Sequence, residues 1–156
     1  VTDPVVIREI THSEVSAVKP LLLLAEPSAQ ALEWSLAHMI DAIYRMDMDG
    51  RAVGAATVQW RNDPAEIIEL AIAEEVQGRG LGRQLVQWLV GEARRRRKQK
   101  LIVGTANASL DNIRFYQRCD FRMDHVRRDY FWYYPQTQYE NGIAVRDMLV
   151  FSVELT

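Results

Sequence analysis

The chain has 156 residues, 48% of them apolar, which suits one compact domain (residues 1 to 156) with a sizeable core. Its formal net charge of -2 lacks the basic excess of a dedicated nucleic-acid binder, and no apolar run approaches the roughly 20 residues that span a bilayer. Cys119 is the single cysteine, which excludes an internal disulfide and a multi-cysteine zinc site; with no secretory leader pattern at the start, a cytoplasmic setting is expected.

Val5, Val6 and Ile7 predict a short first strand, with Thr11 or Ser13 placed to cap the helical pattern that follows. Pro27 and Ser28 open a second helix that runs to Met39. Residues 42 to 48 and 52 to 60 read as strands joined by Asp49-Gly50, a strong hairpin signal. After the Asn62-Asp63-Pro64 turn, residues 66 to 73 form a more apolar strand, as expected near the middle of a sheet.

Next comes Val76 to Leu85, a glycine-alternating loop that enters an amphipathic helix whose apolar face carries Leu81, Leu85, Trp88 and Leu89. Gly78, Gly80 and Gly82 allow backbone conformations in which successive N–H groups turn toward one anion. The helix start adds its dipole and unpaired first-turn amides, so a phosphate-bearing cofactor is expected here. The basic run Arg94 to Lys98 ends this helix; it suits a solvated helix terminus, or a contact with an acidic partner or with a phosphate that the fold brings close.

Residues 101 to 105 predict a fifth strand, Ser109 to Arg118 a short helix, and Phe121 the start of a sixth strand. Residues 124 to 142 are aromatic-rich and carry Pro135 and Gly142, which suggests an irregular excursion before the last strand over 148 to 155.

Spacing narrows the choice of phosphate site. A dinucleotide fingerprint counted from Gly78 would need its third glycine at Arg83, and a triphosphate loop would need Lys followed by Ser or Thr. Both fail. A methyl-donor fold uses glycines in this way but sets the loop after its first strand, whereas about four strands precede it here.

Gln77-Gly78-Arg79-Gly80-Leu81-Gly82 resembles the Q/R-x-x-G-x-G/A signature of the GNAT acetyltransferase superfamily, which binds the pyrophosphate of acetyl-CoA. Ala65 to Ile72 is similar to that family's fourth strand, and Asn107, Asn112 and Phe115 to Phe121 to its fifth-strand exit and following helix. The resemblance implies an α/β fold with a central mixed, mostly antiparallel sheet of about seven strands flanked by about four helices. One departure is Asp120, where members often have glycine before Phe121; aspartate tolerates a left-handed turn, so the helix stop survives.

The implied activity is transfer of an acetyl group from acetyl-CoA, with no metal, to a small-molecule or peptide amine by direct transfer in a ternary complex. Such chemistry calls for a base that frees the amine, a polarised thioester carbonyl and protonation of the departing thiolate. Glu66 and Glu69 are the candidate bases: they face opposite ways on an ideal strand, and a bulge would change that parity. The resemblance favours Glu66 by its distance from Gln77, and Tyr116 falls where the family carries an acid near the cofactor sulfur. It also implies that backbone groups of Leu70, Ala71 and Ile72 pair with the pantetheine, while Gln77 to Arg83 hold the diphosphate, with Arg79 and Arg83 flanking it. Asn112 shares a helical face with Tyr116, and Asn107 either contacts the cofactor or caps the helix.

The remaining chemistry-bearing residues have plainer readings. His12, His38 and His125 lack metal-ligand spacing, and Cys119 reads as a quiet helix-end residue. Tyr130, Phe131, Trp132, Tyr133 and Tyr134 suit an acceptor-pocket wall, a homodimer contact or an ordinary core strand. A non-catalytic acyl-CoA-binding module and, more distantly, a methyl-donor enzyme are the competing functions.

Overall fold

A computed structural model describes residues 4–155. Strands β1 (Val5–Ile10), β2 (Ala42–Met48), β3 (Arg51–Gln59), β4 (Ala65–Ile72), β5 (Lys100–Ala106), β6 (Arg122–Arg127) and β9 (Met148–Glu154) form one sheet in the order β1-β2-β3-β4-β5-β9-β6. Only β4 and β5 run parallel; every other neighbouring pair is antiparallel. Strands β7 (Tyr139–Glu140) and β8 (Ile143–Ala144) make a separate small hairpin. The α-helices are α1 (Lys19–Ala25), α2 (Ala29–His38), α3 (Leu81–Arg95) and α4 (Leu110–Arg118), so the expected mixed, mostly antiparallel architecture is present.

Local chemistry explains where these elements start and stop. Ser28 caps α2 by accepting from the Ala31 amide at 3.1 Å, and Asp49 and Gly50 both take positive φ, as a tight right-twisting hairpin requires. The start of the first helical segment is tied by Glu14, whose carboxylate accepts the Thr11 amide at 3.0 Å; a 3-10 turn over residues 12–17 then leads into α1.

Two apolar clusters cover the two faces of the sheet. One joins Leu81, Leu85 and Leu89 of α3 and Tyr116 of α4 to inward residues such as Ile67 and Phe151. The other joins Leu22 of α1 and Leu32 and Leu36 of α2 to Ile43 and Ala55. Each face is thereby closed by a helix pair of limited apolar width, the usual way a sheet buries both sides.

Sequence and structure differ most after α4. The sixth strand continues to Arg127, beyond where an irregular excursion was expected, because it is an edge strand with almost every residue exposed and so carries no alternating pattern. Residues 130–134 form turns, which removes the core-strand reading of the aromatic group.

Candidate active site

Strands β4 and β5 pair only at Ala65–Leu101, Glu66–Ile102 and Ile67–Val103 and then part, although β4 continues to Ile72 and β5 to Ala106. Ile68 to Ile72 and Val103 to Ala106 line the cleft that opens between them. Its volume of about 1630 Å³ exceeds the roughly 300–1,000 Å³ usual for one small ligand, so it has room for two substrates. The parted edge of β4 leaves main-chain groups facing the cleft, a place where an extended ligand can add like a strand.

The glycine loop forms one end of this cleft. Gly78 and Gly80 both have φ +80°, a conformation that side chains strain to adopt, and Gly80 stands at the N-terminus of α3. Among the described residues no protein acceptor takes the amides of Gly78 to Arg83; the first bond of α3 runs from Gln84 to the Gly80 carbonyl at 3.1 Å. Gln77 latches the loop to the sheet by donating to the Ile72 carbonyl at 3.0 Å. Gly82 permits close packing, since a Cβ there would lie 3.1 Å from the Phe115 ring. Leu81 anchors the loop by burying its side chain in the α3 cluster.

The basic residues around the loop divide. Arg83 lines the cleft and also donates to the Arg118 carbonyl at 2.7 Å, tying α3 to the end of α4, whereas Arg79 is not among the residues that line it. Arg114 and Arg118, which the glycine motif does not signal, line the same end and add positive charge. Asn112 lines the cleft and donates to Thr105 at 3.2 Å. Asn107 does not line it: its amide group donates to the Ala144 carbonyl and accepts from the Arg146 and Asp147 amides, fastening the chain before β9. Helix capping by Asn107 is likewise absent.

Tyr116 sits on the α3–α4 face, its ring packed near Phe115, Phe121 and Phe151. The end of α4 fixes it: the Phe121 amide bonds the Tyr116 carbonyl at 3.0 Å and the Asp120 amide bonds the Gln117 carbonyl at 3.1 Å, with Asp120 at φ +69°. This is a Schellman stop built on aspartate in the position expected for glycine. No fully buried side-chain nitrogen or oxygen lacks a partner among the described residues, so the Tyr116 hydroxyl, which bonds none of them, is open to the cleft it lines. Burial pushes its acidity below that of an ordinary phenol. The Cys119 thiol, buried at the same helix end, is also pushed up by burial, which suits a structural residue.

The two glutamates fall on the opposite face. Thr57 pairs with Glu69 and Val58 with Ile67, leaving Ile68 as a bulge that turns Glu69 toward α2. The bulge puts Glu66 and Glu69 on one face but in different settings. Glu69 is buried at 5% exposure, lines the cleft, and accepts from Thr57 at 2.9 Å and from Ser35 at 3.1 Å. Burial raises its pKa to about 7 against those two hydrogen bonds, and the nearby Glu26 carboxylate adds to the rise. Glu66 is outside the cleft lining and is held by both terminal nitrogens of Arg127 at 2.9 Å each.

The mouth on this face is aromatic. Tyr133 and Tyr134 donate to the two oxygens of Glu26 at 2.8 and 2.7 Å, so the 130–134 segment clasps the α1–α2 turn and walls the cleft. Sequence reasoning missed Glu26 and Ser35. Ser35, a polar residue between Leu32 and Leu36 on a buried helix face, was the available signal for a buried polar partner.

Other candidates are accounted for locally. His12 bonds the Leu36 carbonyl at 3.3 Å, His38 the Trp34 carbonyl at 2.9 Å and His125 the Asp124 carboxylate at 2.8 Å. Arg95 and Arg96 pair with Glu92 and lie over Trp88 and Trp60, as a helix terminus at the surface does. Among the described residues no helix is long and apolar enough to cross a membrane.

Comparison with known proteins agrees with this geometry. Residues 12–121 match the model of the Acetyltransferase (GNAT) family. The chain is 31% identical over 137 residues to the uncharacterized N-acetyltransferase YvbK of Bacillus subtilis (strain 168), covering 86% of this chain and 87% of that one. A GNAT family acetyltransferase from Elizabethkingia anophelis, solved with acetyl-CoA bound, superposes with a TM-score of 0.90 at 30% identity, over 99% of this chain and 100% of that one. An IAA acetyltransferase from Bacillus cereus ATCC 14579 gives 0.86 at 34% identity, over 97% and 100%. The methyl-donor reading falls, and the chain belongs to the GNAT acetyltransferase family.

Proposed function

We propose that this protein is an acetyl-CoA-dependent N-acetyltransferase that acts on a primary amine of a small molecule or peptide by direct transfer in a ternary complex. The observation that carries this reading is the gap between β4 and β5, which opens both to Tyr116 on one face of the sheet and to Glu69 on the other. The acetyl-CoA bound in the Elizabethkingia anophelis relative supports the choice of carrier. When bound, acetyl-CoA supplies an activated thioester and leaves as the free thiol.

The chain's own residues then divide the work. The open amides of Gly78 to Arg83, with Arg83, Arg114 and Arg118 nearby, suit the diphosphate, and the edge of Leu70 to Ile72 that β5 leaves unpaired, its Ile72 carbonyl taken by Gln77, suits the pantetheine. Main-chain N–H groups of that edge would polarise the thioester carbonyl of bound acetyl-CoA. Glu69 takes the proton of the incoming ammonium, directly or through water; an acid with pKa about 7 is a far better base than an ordinary carboxylate and is still half ionised at neutral pH. Tyr116 keeps its proton at working pH until the carbon–sulfur bond breaks, when it would pass that proton to the departing sulfur and be reprotonated through solvent as the acylated nitrogen loses its second proton. Glu66 is assigned instead to holding Arg127, the reverse of the preference that the family resemblance implied.

The test is calorimetry with acetyl-CoA together with free-thiol release over a panel of amines. Binding with amine-dependent release is the expected result. Binding without release for any amine favours a non-catalytic acyl-CoA-binding module, and no binding rejects both.

A further inference from the structure

Glu26 is a half-buried carboxylate in the acceptor half of the cleft with no cationic partner among the described residues. Its oxygens accept from three neutral donors: Tyr133, Tyr134 and, at 3.4 Å, the Ser28 amide. A carboxylate offers about four lone-pair sites, so one is left, on Oε1. Neutral donors hold the anion in place without cancelling its charge. The surroundings are rings: Tyr133 stacks on Tyr134 with centroids 4.8 Å apart, and Tyr130 meets Tyr133 edge-on at 6.5 Å. At the rim, Trp34 and Trp132 line the cleft while 56% and 83% exposed. A carboxylate without a cationic partner, in a mouth walled by aromatic side chains, is the chemistry that selects an organic cation, through a charge-assisted hydrogen bond.

The reacting amine does not account for this charge, since it must be neutral when it attacks and Glu69 already serves it. We infer that the acceptor carries a second positive group, as an α,ω-diamine or longer polyamine does, and that Glu26, set by Tyr133 and Tyr134, is the specificity residue that binds it. An acceptor with a carboxylate at that end meets like charge and is disfavoured. The inference rests on the transferase reading above and deepens its acceptor half.

The experiment compares kcat/KM, by thiol release, for α,ω-diamines of three to six carbons against the monoamine and the ω-amino acid of the same length. For at least one length the diamine should exceed the monoamine by about 10- to 100-fold, as expected for a hydrogen-bonded charge pair, with the amino acid lowest. In Glu26→Gln this preference should shrink to within about threefold, and Tyr133→Phe should give an intermediate ratio, because the charge stays but its orientation loosens. Acetyl-CoA affinity, read by calorimetry, reports that each variant is folded; where Glu26→Gln is not, Glu26→Asp, which keeps the charge but draws it back by one methylene, should lower the preference to the intermediate ratio. Equal rates for diamines and monoamines, or an undiminished preference in Glu26→Gln, overturns the inference. If no amine in any series releases thiol from a protein that binds acetyl-CoA, the transferase reading fails first and takes this inference with it.

Discussion

Glu69 and Thr57 exchange two hydrogen bonds across the β3–β4 ladder: the Thr57 hydroxyl donates to the carboxylate at 2.9 Å and accepts from the Glu69 amide at 2.9 Å. The pair sits at the bulge, so the same contact fixes both the turn of the strand and the direction of the side chain. A buried carboxylate held this way has a thermodynamic cost that depends on pH.

The folded state keeps a proton on Glu69 up to pH about 7, whereas the unfolded chain releases it near 4.5. Stability should therefore fall as pH rises through this window, by about 3 kcal/mol in order of magnitude by pH 8. Glu69→Gln removes the titration and keeps the shape. Denaturant unfolding should show the variant gaining on the wild type from pH 5 to pH 8; a constant difference between the two would contradict the assignment.

The same proton governs the rate in the proposed mechanism. With Glu69 as base, kcat/KM for an amine should rise with pH through an apparent pKa near 7 and level off only as far as the amine's own ionisation allows. Glu69→Gln should lose this limb and about 10²- to 10⁴-fold in rate, the usual contribution of general catalysis. A pH-rate profile of both proteins checks it.

Tyr116→Phe separates packing from chemistry. The ring is buried, but the hydroxyl bonds no described residue, so the variant should keep its stability and its affinity for acetyl-CoA while kcat drops by at least about tenfold. A rise in KM for acetyl-CoA with kcat intact would assign the hydroxyl to binding instead.

Gly80 and Gly82 make opposite demands on an added methyl group. At Gly80 a Cβ meets nothing within 4 Å but is strained by φ +80°, so Gly80→Ala should cost about 1 kcal/mol through the backbone and weaken acetyl-CoA binding by tilting the amides. At Gly82 the backbone is ordinary and the Phe115 ring stands 3.1 Å away, so Gly82→Ala should act by moving α4. Calorimetry with CoA, set beside thermal unfolding, distinguishes the two.

Features written in local sequence were legible. The Asp49-Gly50 hairpin, the glycine loop and the Asp120 helix stop each depend on a few adjacent residues whose backbone preferences are intrinsic. The different settings of Glu66 and Glu69 were not, because they depend on the bulge at Ile68 and on partners from distant elements, Arg127 for one and Ser35 with Thr57 for the other, which no composition reports. Nor was Glu26, which becomes part of the site only when residues 133 and 134 fold back across more than a hundred positions of chain. Edge strand β6 was lost at its far end because exposure on nearly every residue erases the period-two signal.

Arg127 and Glu66 form the bidentate pair that spans from β6 to β4, with side chains only 28% and 14% exposed. Removing one partner strands the other's charge in a poorly hydrated place. Arg127→Met should therefore destabilise the fold by about 2–4 kcal/mol, somewhat below the cost for a fully buried pair because the arginine retains some water. Adding Glu66→Gln to that variant should recover much of the loss, since the methionine and the amide leave no bare charge behind. Denaturant midpoints of the two singles and the double form the cycle. Turnover in the same proteins tests the base assignment: if Glu66 only holds Arg127, the double variant should stay far more active than Glu69→Gln, and a collapse equal to that of Glu69→Gln would return the base role to Glu66.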